Sequence, residues 1–214
     1  MNWKKSAFKN FRLYAVTDIR SEDAAIFKKV EDAYRGGADI VQLRSETLSD
    51  ACLYRIGLRF RKIAGHFRKL FFVNDRIDLA LAVEADGVHL GQDDLPIQAV
   101  RKILPTSVKL GRSTHNLSQA LQAARERHDY IGVGPIFETP TKPDYPAVGI
   151  DLIKQVKEKI RIPFVCIGGI DETNAGEVLR AGASRVAAVR AIFDAPNVYQ
   201  ATQTLRAAME KYGK

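Results

Sequence analysis

The chain has 214 residues, 46% of them hydrophobic and 27% charged, enough for one large core with no low-complexity tract. No run approaches the roughly 18 apolar residues of a membrane span. No apolar stretch of signal-peptide type follows Met1-Asn2-Trp3-Lys4-Lys5, so a cytoplasmic protein with no membrane partner is expected. The net charge of +8 would suit nucleic acid or small anions, but its Lys and Arg are scattered over helix-like stretches such as 59–68 and 154–161. They form no aromatic-interleaved basic stripe, so nucleic acid is not an expected partner. Cys52 and Cys166 have no CxxC spacing and read as plain buried thiols.

A helix-like start over 3–9 precedes eight short, β-branched apolar runs, at 12–17, 40–44, 70–74, 87–90, 108–113, 130–134, 164–168 and 185–190. The segments 24–36, 49–67, 76–84, 96–104, 117–127, 150–160, 173–181 and 197–212 carry helical periodicity. Residues 114–116 offer a helix start, and Gly36, Gly37 and Gly182 offer stops. The alternation never breaks into a block of strands or of helices, which predicts parallel βα units. An open doubly wound sheet fits the same order, but it would place a Gly-rich phosphate turn after strand one, where Thr17-Asp18-Ile19-Arg20 has none. The expectation is a single-domain TIM (β/α)₈ barrel over 1–214 with a short N-terminal helical extension. In such a barrel the loops after strands seven and eight, here carrying Gly168, Gly169 and Arg190, commonly build a phosphate site. The long loop 135–149 reads as a functional flap, and the eight units show no sequence repeat.

Five constellations fall at strand ends. Asn74-Asp75-Arg76 is followed nineteen residues after Asp75 by Asp94. Two carboxylates at one barrel mouth are the hard oxygen ligands Mg²⁺ prefers, although either could instead cap the helix after it. Gln42 and Arg44 share one face of strand two, and an inward arginine needs an anion, either a substrate phosphate or a neighbouring carboxylate. Ser113 can donate to a phosphate oxygen or, like Thr114, cap a helix. His115 reads as structural more readily than catalytic, and His89 as a satisfied interior group. The run Thr139-Pro140-Thr141-Lys142 can close over a phosphate, and Gly168-Gly169 before a helix offers bare N–H groups.

These residues resemble thiamine phosphate synthases nearly from end to end. The matching stretches are 13–18, 41–44, 74–76, 85–95, 113–115, 130–137 with 139–142, and 167–170; those at 86–94 and 132–142 are the most specific. The resemblance implies a transferase that joins a hydroxymethylpyrimidine diphosphate to a thiazole phosphate, releasing diphosphate. It assigns Gln42, Arg44, Asn74, Ser113 and Lys142 to the pyrimidine diphosphate, with Arg44, Ser113 and Lys142 closest to the chemistry. Asp75 and Asp94 would hold Mg²⁺. Thr139, Thr141 and Gly169 would meet the thiazole phosphate, and Val189 and Arg190 are further expected substrate-binding positions. The small phosphorylated substrates are the implied partners, and a homo-oligomer is left open.

Three positions depart from that pattern. The family usually has lysine where this chain has Glu46, and loss of one charge-assisted hydrogen bond is worth about 1.5–3 kcal/mol. It commonly has serine where this chain has Arg190, and Arg112 replaces a small residue. The expectation is that Arg112 or Arg190 pairs with Glu46 or takes over a phosphate contact. Two rivals share the fold: a thiazole tautomerase, whose loop histidine would fall at Pro135, and a catalytically silent ligand-binding homologue.

Overall fold

Parallel strands covered by helices must be apolar on both faces. The strands here are buried residue after residue, as in Leu13–Val16, Ile40–Leu43 and Tyr130–Val133. The computed structural model describes residues 3–141 and 145–213. In chain order the elements are α1 (Trp3–Asn10), β1 (Leu13–Val16), α2 (Ala25–Arg35), β2 (Ile40–Leu43), α3 (Asp50–Phe67), β3 (Leu70–Asn74), α4 (Ile77–Ala82), β4 (Gly87–Leu90) and α5 (Ile97–Ile103). They continue as β5 (Lys109–Thr114), α6 (Leu117–Arg125), β6 (Tyr130–Val133), α7 (Ile150–Lys159), β7 (Phe164–Cys166), α8 (Ala175–Arg180), β8 (Val186–Ala188), α9 (Arg190–Phe193) and α10 (Val198–Tyr212). Each strand pairs in parallel with the next, and β8 pairs with β1, closing the TIM barrel.

Strand alternation divides the apolar residues into two clusters. Leu13, Ala15, Val41, Leu43, Phe71 and Val73 face outward and pack under the helices. Tyr14, Val16, Ile40, Leu70, Phe72, Tyr130, Val165 and Ala187 face inward and fill the lumen, where Phe8 and Phe11 join them. Phe8 comes from α1, so the N-terminal extension closes the lower end of the barrel, which seals the interior there and leaves the other end for chemistry.

The lower rim is pinned by aspartates entering alternate strands. Asp39 accepts from the Arg12 and Leu13 amides at 2.9 and 3.2 Å, Asp86 from the Phe71 amide at 2.9 Å and Asp129 from the Leu110 amide at 2.9 Å. The units entering β2, β4 and β6, though not β8, therefore share a one-residue recurrence that the sequence reading missed, because a single aspartate is too short a signal for a repeat.

The structure moves two boundaries that matter for the site. The last predicted strand, 185–190, stops at Ala188, and Arg190 opens the unforeseen α9, because Val189 at φ −105°, ψ −87° leaves strand geometry. The helix expected over 173–181 begins only at Ala175. A side-chain turn precedes it, in which Asn174 Oδ1 accepts from the Asp171 amide at 3.0 Å and Asp171 Oδ1 from the Thr173 amide at 2.9 Å.

Candidate active site

The upper end is organised first by Thr17. Its hydroxyl donates to the Gln42 carbonyl at 3.0 Å and accepts from the Arg44 amide at 3.0 Å, tying the chain beyond β1 to the end of β2. The strand period then turns Gln42 and Arg44 inward, both buried. The Arg44 guanidinium meets Asp18 at 2.5 Å through Nη1 and Glu46 through Nη2. Of the two anions the sequence left open for Arg44, neighbouring carboxylates are the ones in place. The expected pairing of Glu46 with Arg112 or Arg190 does not occur, because Arg44 is two residues away on the same turn. Arg112 is instead bonded to the Gln92 carbonyl at 2.8 Å, bracing the loop after β4, and Arg190 lies exposed beyond β8.

Asn74 closes β3 in register with His89 of β4. Asp75 follows in a left-handed conformation, φ 57°, with its amide on the His89 carbonyl at 2.8 Å and its carboxylate accepting from Asn74 Nδ2 at 2.6 Å. Asp94 accepts from the Gly91 amide at 2.6 Å. Neither carboxylate caps a helix: the N-cap positions of α4 and α5 are Arg76 and Pro96, and neither helix has a side-chain cap bond. Ser113 and Thr114 are not caps either, since Asn116 caps α6. Among the described residues no group of three or more His, Cys, Asp or Glu could hold a metal. Two carboxylates at the ends of adjacent strands still fit Mg²⁺, which is commonly held by one or two carboxylates with phosphate and water completing the shell.

Two hollows of about 100 and 90 Å³ open at this end. Gln42, Arg44, Asn74, His89 and Ser113 line the first. Gly169, Ala188, Val189 and Arg190 line the second. Thr139, Thr141 and Gly168 line both and form the wall between them. Asp75 and Asp94 line neither hollow. The wall is held from below, because the Ile136 and Phe137 amides bond the Ile167 and Gly168 carbonyls at 2.9 and 3.1 Å. Gly168 has φ +101°, and a Cβ there would lie 2.3 Å from the Pro135 Cα, so only glycine lets the β7 end approach the flap. Lys142 lies outside the described residues. His115 also lines the first hollow, bonded to the Gly134 carbonyl at 2.5 Å and tilted against Tyr145, which fits the structural role expected for it.

Residues 13–192 match the family described as thiamine monophosphate synthase. A thiamine-phosphate synthase of Shouchella clausii is 46% identical over 95% of this chain and 98% of its own length. The chain belongs to the thiamine phosphate synthase family. A thiamine-phosphate synthase of Chloroflexus aurantiacus is 45% identical over 92% of both chains. The solved thiamine phosphate pyrophosphorylase of Pyrococcus furiosus superposes with a TM-score of 0.88 at 36% identity, covering 96% of this chain and 98% of its own. Membership makes the chain a transferase of thiamine biosynthesis. Among the described residues no helix is long and apolar enough to cross a membrane.

For a thiamine phosphate synthase family member the mouth holds groups that sequence reasoning treated as packing. His89 bonds both Tyr130 and Ser113, and Tyr14 bonds both Gln42 and Tyr130. The signal was present as period two: Gln42, Asn74, His89 and Ser113 are the polar residues on the inward faces of successive strands.

Proposed function

We propose that this protein condenses 4-amino-2-methyl-5-hydroxymethylpyrimidine diphosphate with 4-methyl-5-hydroxyethylthiazole phosphate, or its carboxylated form, giving thiamine phosphate and diphosphate. The observation that carries the reading is the pair of hollows sharing one wall, since a two-substrate condensation needs two compartments in contact. The pyrimidine diphosphate belongs in the first, against Gln42, Arg44, Asn74 and Ser113, with Lys142 assigned to it by the family resemblance alone. The thiazole phosphate belongs in the second, against Thr139, Thr141, Gly169, Val189 and Arg190.

The pyrimidine carbon bearing the diphosphate is benzylic in type, and the ring amine stabilises positive charge there as the C–O bond breaks. The thiazole nitrogen then forms the new bond to that carbon, and the electron pair of the C–O bond leaves with diphosphate. No protein nucleophile is required, so the work of the chain is alignment and charge stabilisation. Arg44 holds the departing diphosphate and Ser113 the pyrimidine it leaves, while the shared wall sets the thiazole across from them. Mg²⁺, held by Asp75 and Asp94, would neutralise charge on the leaving diphosphate.

Incubating the protein with both phosphorylated halves and Mg²⁺ tests this, with thiamine phosphate and diphosphate expected in equal amounts. No product at any substrate concentration would sink it. The placement of Glu46 on Arg44 favours a second reading, a silent binder, which predicts that the pyrimidine diphosphate binds without turnover. A tautomerase-like activity has less support, because Pro135 stands where its histidine would fall.

A further inference from the structure

A single chain of hydrogen bonds runs through the barrel lumen beneath the first hollow. Gln42 Nε2 bonds Tyr14 Oη at 2.7 Å, the two phenol oxygens of Tyr14 and Tyr130 lie 3.2 Å apart, Tyr130 Oη meets His89 Nδ1 at 2.9 Å, and His89 Nε2 meets Ser113 Oγ at 3.0 Å. Both ends, Gln42 and Ser113, open into the hollow, as does His89, while Tyr14 and Tyr130 do not. Tyr14 and Tyr130 are 2% and 0% exposed, and burial pushes both phenols far above their usual pKa, so each keeps one proton to donate. The geometry is built for these rings. Gly111 of β5 lies in register between His89 and Tyr130, and a Cβ on it would fall 2.2 Å from Tyr130 Cζ. With no side chain there, the imidazole and phenol meet across the strand at 5.4 Å between ring centres.

Donor and acceptor capacity gives this chain a direction. An amide nitrogen only donates, so Tyr14 accepts from Gln42, and its own buried proton is satisfied by donation to Tyr130. Tyr130 then has its one proton left for His89 Nδ1. A nitrogen that accepts carries no hydrogen, so the imidazole proton sits on Nε2 and is donated to Ser113 Oγ. The Ser113 proton is left to point into the hollow, and the Gln42 carbonyl faces it from the other end.

We infer that His89 is a positioning residue, held as the Nε2–H tautomer by Tyr130, which makes Ser113 a donor and Gln42 an acceptor toward the ligand of the first hollow. The inference deepens the synthase reading, and takes from it only that this ligand is the pyrimidine diphosphate. Turning the Gln42 amide end for end would reverse every bond, put the proton on Nδ1 and exchange the roles of the two ends. The directional chain is thus a selectivity device. It favours a ring that offers an amine hydrogen to Gln42 and a lone pair to Ser113, and disfavours one with those groups exchanged.

Nitrogen-15 NMR of the histidine-labelled wild-type protein reads the tautomer directly, with the His89→Gln spectrum identifying the signal. A protonated Nε2 is expected, and a protonated Nδ1 overturns the inference whether or not the protein makes thiamine phosphate. Steady-state kinetics supply the second arm. Tyr130→Phe removes the proton that holds Nδ1, and is expected to raise KM for the pyrimidine diphosphate about five- to tenfold, the worth of one neutral hydrogen bond, while KM for the thiazole phosphate stays unchanged. His89→Gln, which keeps an amide donor for Ser113, should retain more activity than His89→Leu. Equal shifts in both KM values and kcat, or no advantage of Gln over Leu, would mean that His89 and Tyr130 only fill the lumen. Absence of wild-type turnover would sink the synthase reading and leave the NMR result standing.

Discussion

Glu46 sits on the Nη2 side of Arg44 while Asp18 holds Nη1 at 2.5 Å, so both forks of the one cation at the end of β2 face a carboxylate. The two carboxylates differ in consequence. The Asp18 side chain is 18% exposed and that of Glu46 69%, against 6% for Arg44, so Glu46 is the carboxylate more accessible to an incoming anion. Removing its charge frees that fork. Glu46→Gln is expected to lower KM for the pyrimidine diphosphate about two- to fivefold, since a solvent-screened pair is worth roughly 0.2–1 kcal/mol. Glu46→Lys should lower it further. Unchanged KM in both variants would show that Glu46 does not compete with the substrate.

The carboxylates proposed to hold Mg²⁺ predict a metal dependence separable from folding. Asp75→Asn and Asp94→Asn should each raise the Mg²⁺ concentration for half-maximal rate by roughly tenfold or more. Asp75 is exposed, so its variant should keep the wild-type melting temperature. Magnesium titrations that superimpose on wild type would remove these residues from the metal site.

The two hollows should be separable by kinetics. Arg190 lines only the second, so Arg190→Ala is expected to raise KM for the thiazole phosphate about tenfold or more, the loss of a charge-assisted hydrogen bond, and to leave KM for the pyrimidine diphosphate alone. An effect on the pyrimidine half of equal size would contradict the two-compartment arrangement.

Acid stability should report the lower rim. Burial pushes the Asp39 carboxyl upward, but Lys69 at 2.7 Å, the Arg12 amide at 2.9 Å and Arg206 at 2.8 Å outweigh it and hold the group below the ordinary carboxylate value. Because the folded-state pKa is the lower one, this stabilisation is fully present above about pH 3.9 and is lost as pH falls through the folded-state value. Asp39→Asn should lower the melting temperature at pH 7 and flatten its decline below about pH 4. A variant whose acid profile parallels wild type would assign that decline to other carboxylates.

Much of the barrel was legible because its signals are local. Eight β-branched runs alternating with amphipathic stretches specify βα units one at a time, and β3 and β4 begin and end where the sequence places them. The failures came where a neighbour in space decides. The eighth strand stops short of Arg190 because the backbone turns at Val189, and Glu46 chose Arg44 because both occupy one turn. Gln42, Asn74 and Ser113, which line one hollow, were recognisable as candidate site residues from strand period and motif. Nothing local distinguishes a Tyr14 or Tyr130 that fills a core from one that carries a proton between two such residues.

By itself, then, the sequence determined the order and type of the elements, the family, and the residue types gathered at the strand ends. These depend on hydrophobic period and on motifs read within a few residues of one another. Only closure of β8 onto β1 decided which of those groups touch. It brought Tyr14 beside Tyr130 across 116 positions of chain, and it left Gly111 as the gap through which His89 reaches that pair. Hydrogen bonds act over about 3 Å and are blind to distance along the chain, so the direction in which Ser113 points is a property of the closed barrel.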